Sequence, residues 1–168
     1  MKYIFVDPSG SFNEGKGHTG IASITDGDWS TLETVSLSAN KYTSRHMYWD
    51  AILGAVLGMR KTINDVAIIE SFMIRTQGFL MGKMPETIQL IGMLSWEFEN
   101  YGIKFILQTP TQAKSRFKDD DLPRYIPGFE KRPNGRYYLN GKQVNDHIRD
   151  ALKHLLYFMK YHKWVGQI

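Results

Sequence analysis

The sequence predicts an α/β domain: a mixed five-stranded sheet, its first three strands antiparallel, flanked by helices. Three observations predict it. Two short apolar runs, Tyr3-Ile4-Phe5-Val6 and Val66-Ala67-Ile68-Ile69, read as strands and each ends in an acid, Asp7 and Glu70. The apolar period lengthens to that of a helix over 45–63 and again from Pro85 to Gly102. The opening of the chain alternates β-rich runs with turn residues, as an antiparallel meander does.

Lys2 to Val6 is the first strand, and Pro8-Ser9-Gly10 breaks it. Ser11 to Thr19 is polar and glycine-rich. Gly20 to Ile24 is the second strand, Asp26-Gly27-Asp28 a hairpin turn, and Leu32 to Leu37 the third strand. Arg45 to Ile63 carries a helical stripe through Met47, Ala51, Val56 and Met59, and Asn64-Asp65 ends it. Val66 to Ile69 is fully apolar, the pattern of a strand covered on both faces. Pro85 suits a first helical position, and Gly102 stops that second helix. Ile103 to Leu107 reads as another buried strand, and Thr109-Pro110-Thr111 as the start of a short helix. Lys118 to Val144 has no clean period, although Asn140-Gly141 after Arg136-Tyr137-Tyr138-Leu139 is a hairpin signal. Asn145 or Asp146 can cap the last helix. The order is βββαβαβαα.

At 168 residues the chain is expected to be one domain, 1–168, burying roughly 70% of its unfolded surface. With 21 basic and 17 acidic residues the net charge is +4, a mild excess. Its distribution says more, because Lys131, Arg132, Arg136 and Lys142 follow one another without an intervening acid. There is no cysteine, which excludes disulfides, thiolate chemistry and cysteine-held zinc. No signal peptide or membrane-spanning stretch is visible, so no membrane partner and a cytoplasmic location are expected.

Asp7, Glu70 and Asp150 are the residues that carry chemistry, with His147 one turn before Asp150. Two acids at strand ends and a third on a packed helix suggest a carboxylate cluster on a rigid base. Phosphodiester hydrolysis of the two-metal type needs oxygen ligands for two Mg²⁺ about 4 Å apart. Mg²⁺ keeps several waters, so three or four side chains suffice, and Mn²⁺ is the expected substitute. Asp7 is the central ligand candidate. Its bland alternative is a turn aspartate before Pro8. Glu70 is harder to explain blandly, because a carboxylate after four apolar residues is costly unless satisfied. Asp150 has a bland alternative too, a helix acid paired with Lys153 or His154. His147 is either a ligand, a proton carrier or a surface histidine. Asp146 rivals it for the fourth ligand position, or caps the helix. In a basic chain, this set points to a metal-dependent nuclease.

At these residues the chain resembles a RuvC-type Holliday junction resolvase of the RNase H-like (integrase) superfamily, in particular the compact bacteriophage versions. Phe5-Val6-Asp7-Pro8-Ser9-Gly10 with Thr19-Gly20-Ile21-Ala22 resembles the family's first strand, turn and returning strand. Ile68-Ile69-Glu70-Ser71-Phe72 resembles the strand with the second acid, and His147-Ile148-Arg149-Asp150-Ala151 the closing motif. Thr109-Pro110-Thr111-Gln112-Ala113-Lys114 resembles the segment whose lysine lies near the DNA backbone. Ser11 to His18 and about 118–144 depart from the family as insertions.

The resemblance implies an RNase H-like fold, resolution of Holliday junctions or other branched DNA, a homodimer, and the cytoplasm of a bacterial host if the chain is phage-encoded. It implies that Asp7, Glu70, His147 and Asp150 bind metal and that Lys114 lies by the scissile phosphate. It also implies a wedge residue in the loop after Glu70, where Met73 stands three residues on and Phe72 and Phe79 lie nearby as the other candidates. Arg75, in the same loop, is a phosphate-contact candidate, and Lys131, Arg132, Arg136 and Lys142 form a second one. The alternatives are an RNase H-like nuclease acting on a flap, a fork or an RNA–DNA hybrid, and a catalytically inactive junction-binding protein.

Overall fold

The computed structural model describes residues 1–13, 15–71 and 85–161. β1 (Lys2–Asp7), β2 (His18–Thr25) and β3 (Asp28–Ser38) form an antiparallel meander. Helix α1 (Arg45–Met59) returns the chain to β4 (Val66–Glu70), which pairs parallel with β1 on its other side. Helix α2 (Pro85–Asn100) leads to β5 (Lys104–Gln108), parallel to β4. The sheet order is β3-β2-β1-β4-β5. A short α3 (Pro110–Lys114) and a 3₁₀ turn (Asp119–Arg124) follow. Next come β6 (Phe129–Lys131), β7 (Tyr137–Leu139) and β8 (Lys142–Gln143), a small antiparallel sheet. Helix α4 (Asp146–Tyr161) ends the described chain. The expected mixed five-stranded sheet is observed, and β6 to β8 add three short strands to the expected order βββαβαβαα.

Local chemistry explains the boundaries. Asp26 and Gly27, at φ of 51° and 76°, make the two-residue turn from β2 to β3, and Asn140 and Gly141, at 48° and 78°, make the same turn from β7 to β8. Positive φ at both central positions matches the right-handed twist of the strands that such turns join. Ser44 caps α1 by accepting a hydrogen bond from the Met47 N–H. Asn145 does the same for α4, its Oδ1 accepting from the Ile148 N–H at 3.0 Å.

The sheet separates two apolar layers. Ile4, Val6, Ile21, Ala67 and Ile69 face α1 and α2, meeting Tyr48, Ile52, Val56, Leu90, Leu94 and Phe98. Phe5, Ala22, Ile24, Val66 and Ile68 face α4 and meet Ile148, Ala151, Leu152 and Leu155. Because side chains alternate along a strand, Asp7 shares the face of Phe5, and Glu70 that of Ile68. Both acids therefore lie on the α4 side.

Three expectations are corrected. The third strand spans Asp28–Ser38, longer than 32–37, because the two-residue turn already sets Asp28 opposite Thr25; after an irregularity the pairing with β2 resumes at Glu33, opposite Ser23. The first helix stops at Met59, since Arg60 turns extended and its guanidinium reaches the carbonyls of Tyr101 and Gly102. The strand over 103–107 is not uniformly buried: Ile106 and Leu107 are exposed, because β5 is the last strand of the sheet. The 118–144 segment, without a period in the sequence, packs Phe129, Leu139 and Val144 into the α4 layer.

Helix α4 crosses β2 closely at Gly20. A Cβ there would run into the backbone carbonyl of His147. Gly20→Ala is therefore expected to push α4 off the sheet and destabilise the fold by about 1–3 kcal/mol, the usual scale of overpacking. Urea unfolding of the variant checks this; stability within error of wild type would mean that α4 yields without cost.

Candidate active site

Asp7 and Glu70 end adjacent parallel strands, since Val6 pairs with Ile69 one residue earlier. Both are largely buried. Helix α4 lies over them and presents His147, Asp150 and His154 at i, i+3 and i+7, one face of a helix. His147 Nδ1 is 2.9 Å from Asp7 Oδ2, and His18 stacks on the His147 ring. Lys114, from the end of α3, places Nζ 3.0 Å from Glu70 Oε1 and 2.9 Å from Asp150 Oδ2. One ammonium thus ties the strand acid to the helix acid. Lys153 grips the other Asp150 oxygen at 2.5 Å.

These contacts separate the two strand-end acids electrostatically. Burial pushes the Asp7 carboxyl up to about 6, and the charge of Glu70 adds to it, against the hydrogen bond from His147. Burial also acts on Glu70, but His154 and Lys114 outweigh it and hold that carboxyl down to about 2. Asp150 is likewise held low, Lys153 and Lys114 overcoming its burial. His147 is raised, first by its hydrogen bond to Asp7. Two neighbouring carboxylates with opposed shifts are what sites of acid–base or metal chemistry show, although structural ion-pair networks also produce them.

The donor set fits a hard divalent cation in kind: carboxylate oxygens from three elements, an imidazole beside them and no thiolate. Buried polar atoms without a hydrogen-bond partner support the fit. Glu70 Oε2 has none, and neither do the two amide atoms of Gln108, the residue opposite Glu70 on β5. Buried unpaired groups of this kind call for an unseen water or ion. In the arrangement described, however, Lys114 joins Glu70 to Asp150. Among the described residues no three His, Asp or Glu side chains are grouped to hold a metal directly. An ion between those two acids would take the place of that ammonium.

The remaining predicted residues are dispersed. Asp146 stands outside the cluster, largely exposed and paired with Arg149 at 2.9 Å. The four basic residues lie on and around the small sheet. Lys131 pairs with Asp120 at 2.8 Å and Arg132 with Glu130 at 2.6 Å, so their charges are locally met. Arg132 also covers the Tyr138 ring. Arg136 bonds to the Gln143 amide and Lys142 is exposed, neither with an acid partner among the described residues. Phe72, Met73, Arg75 and Phe79 lie outside the described residues.

Sequence reasoning missed three residues. His154 was considered only as a partner for Asp150. It is fully buried, stacks on Phe5 and brings Nε2 within 3.1 Å of Glu70 Oε2, though off the line of a hydrogen bond. Its place four residues after Asp150 was the signal. Gln108 is signalled only by closing a strand next to one that ends in Glu70. Asp119 carried no signal; it receives Arg149 Nε at 2.8 Å and lies 2.8 Å from Lys153 Nζ.

The Asp7 shift has a consequence for stability. Unfolded, this carboxyl ionises near its ordinary 3.8; folded, at about 6. Between those values the folded chain holds the extra proton, so stability falls as pH rises through that window and stays lower above it. Asp7→Asn removes the buried charge. It is expected to raise the melting temperature at pH 7.5 in EDTA by about 2–4 °C, with the difference closing near pH 4. A lower melting temperature for the variant at pH 7.5 would show that the His147 contact outweighs burial.

No family model matches the sequence, and no curated protein matches it. Among solved structures the chain is similar to T. thermophilus RuvC in complex with Holliday junction substrate, with a TM-score of 0.62. The identity is 14%, over 97% of this chain and 95% of that chain. At that identity the likeness shows the fold: a mixed five-stranded α/β architecture of the RNase H-like kind.

Proposed function

We propose that the chain is a metal-dependent, structure-selective endodeoxyribonuclease that resolves Holliday junctions or other branched DNA. One observation carries the proposal. Asp7, Glu70 and Asp150, from two strand ends and a helix, gather around His147 and Lys114 at one end of the sheet. The fold supports it, being shared with a protein seen on a Holliday junction.

Bound divalent ions, two Mg²⁺ with Mn²⁺ as substitute, would supply Lewis acidity and an activated water. Asp7, Glu70 and Asp150 would hold them, with His147 as the fourth ligand or as a proton carrier beside Asp7. Lys114, which already binds two anionic oxygens, is the cation suited to exchange a carboxylate partner for the scissile phosphate. Water attacks phosphorus and the bond to the 3′ oxygen breaks, leaving a 5′ phosphate and a 3′ hydroxyl without a covalent enzyme intermediate. A homodimer would present two such sites to the near two-fold symmetry of a junction. Met73, Phe72 or Phe79 is the proposed wedge, since apolar side chains open base steps elsewhere, and Arg75 is a proposed phosphate contact.

Cleavage of matched four-way junction, fork, flap, duplex and RNA–DNA hybrid substrates tests this. Wild type is expected to cut the junction with Mg²⁺ or Mn²⁺ and not in EDTA. Asp7→Asn, Glu70→Gln and Asp150→Asn are each expected to lose cutting by roughly a thousandfold or more while keeping junction affinity, because binding rests mainly on phosphate contacts. Preferred cutting of a flap, fork or hybrid would assign another substrate. Junction binding without cutting in either metal would mark an inactive binding protein.

The basic residues are expected to differ. Arg136→Ala and Lys142→Ala should each lower the slope of log affinity against log salt by roughly 0.9, one lost phosphate contact. Lys131→Ala and Arg132→Ala should change it less, since Asp120 and Glu130 already meet those charges. Salt series of junction binding check this, and slopes unchanged from wild type in all four variants would make the small sheet a solvated face.

A further inference from the structure

Asp150 is held through a relay that begins outside the site. Its Oδ1 meets Lys153 Nζ, and Lys153, 8% exposed, is one of the few buried cations of the chain. Asp119, the first residue of the 3₁₀ turn in the 118–144 segment, lies on the other side of that ammonium, Oδ1 to Nζ 2.8 Å. Its second oxygen accepts from Arg149 Nε at 2.8 Å. Arg149 in turn lies over the Tyr137 ring of β7. The turn is thus fastened to α4 on either side of Asp150, at positions 149 and 153.

We infer that Asp119 is a positioning residue that shares the Lys153 charge and so keeps Asp150 available as a ligand. This rests on the reading of Asp150 as a metal ligand given above. The physical argument is competition. An ammonium between two carboxylates, here nearer Asp150 than Asp119, commits only part of its charge to either. Without Asp119, Lys153 has Asp150 as its remaining acid, and the local charge rises by one. Both effects oppose a divalent ion at Asp150. Partners one step removed from a ligand usually change metal affinity about 10–100-fold when lost. The role belongs to the docked turn and gives the 118–144 segment a task beyond packing.

The test is Mn²⁺ binding followed by the electron paramagnetic resonance of the free ion, beside junction affinity in EDTA, for a cycle of variants. Asp119→Asn is expected to weaken Mn²⁺ binding roughly tenfold and to leave junction affinity within about twofold. Lys153→Met, which keeps the apolar stem, should bind Mn²⁺ as tightly as wild type or more so. The double variant should recover to the Lys153→Met level, because Asp119 acts through Lys153. Asp119→Glu, which keeps the charge, should retain most of the affinity. Unchanged binding in Asp119→Asn overturns the inference. So does a loss that persists undiminished in the double variant, which would make Asp119 a structural fastener only. No Mn²⁺ binding by wild type would overturn the proposed function, and this inference with it.

Discussion

Everything at the site follows from two carboxylates placed at the adjacent ends of buried parallel strands. Alternation along β1 and β4 turns Asp7 and Glu70 to the same face, beside Phe5 and Ile68, which are fully buried. Charges in that position are costly unless they are compensated. The elements packed on that face bring the compensation. Helix α4 contributes His147 and His154, and α3 ends at Lys114. The approach of α4 that makes this reach sufficient requires the bare backbone at Gly20. A sheet register, one glycine and a helix face are therefore parts of a single arrangement.

Compensation is uneven, and the unevenness is informative. Glu70 and Asp150 share the Lys114 ammonium, and both carboxyls are held below their ordinary range. Among the described residues Asp7 has an imidazole as its ionisable partner in direct contact, and its carboxyl is pushed up to about 6 while His147 is raised. A proton near neutral pH thus belongs to the Asp7–His147 pair rather than to either residue. A cation approaching Asp7 competes with that proton, whereas one approaching Glu70 and Asp150 competes with a lysine.

The fold was legible where its signals are local. Alternation, helical period, turn residues and caps depend on neighbours in the chain, and the order of elements followed from them. The strand-end acids were legible for the same reason, since an acid closing an apolar run stands out in one dimension. Position in the sheet is not local. Phe105 to Leu107 is as apolar as a run from a middle strand, and topology makes β5 the edge that exposes Ile106 and Leu107. The four basic residues from Lys131 to Lys142 read as free charge because no acid separates them. Asp120, eleven residues upstream of Lys131, and Glu130, just before it, meet two of them in space. Asp119 was illegible altogether, because its partners on α4 are reached only after the 118–144 segment docks.

The 118–144 segment joins both themes. Its outer surface carries Arg136 and Lys142 into solvent, while its inner turn carries Asp119 against α4. The same stretch therefore adds positive charge where a polyanion would lie and negative charge beside a carboxylate site already rich in it. Those contributions do not cancel. The outer cations are screened by water and salt, and act over about 8–10 Å at ordinary ionic strength. Asp119 acts through two direct ion pairs on largely buried partners, where screening is weak. A segment with an unremarkable net charge can in this way favour a polyanion on one side and a divalent cation on the other, because each side is read in a different dielectric environment.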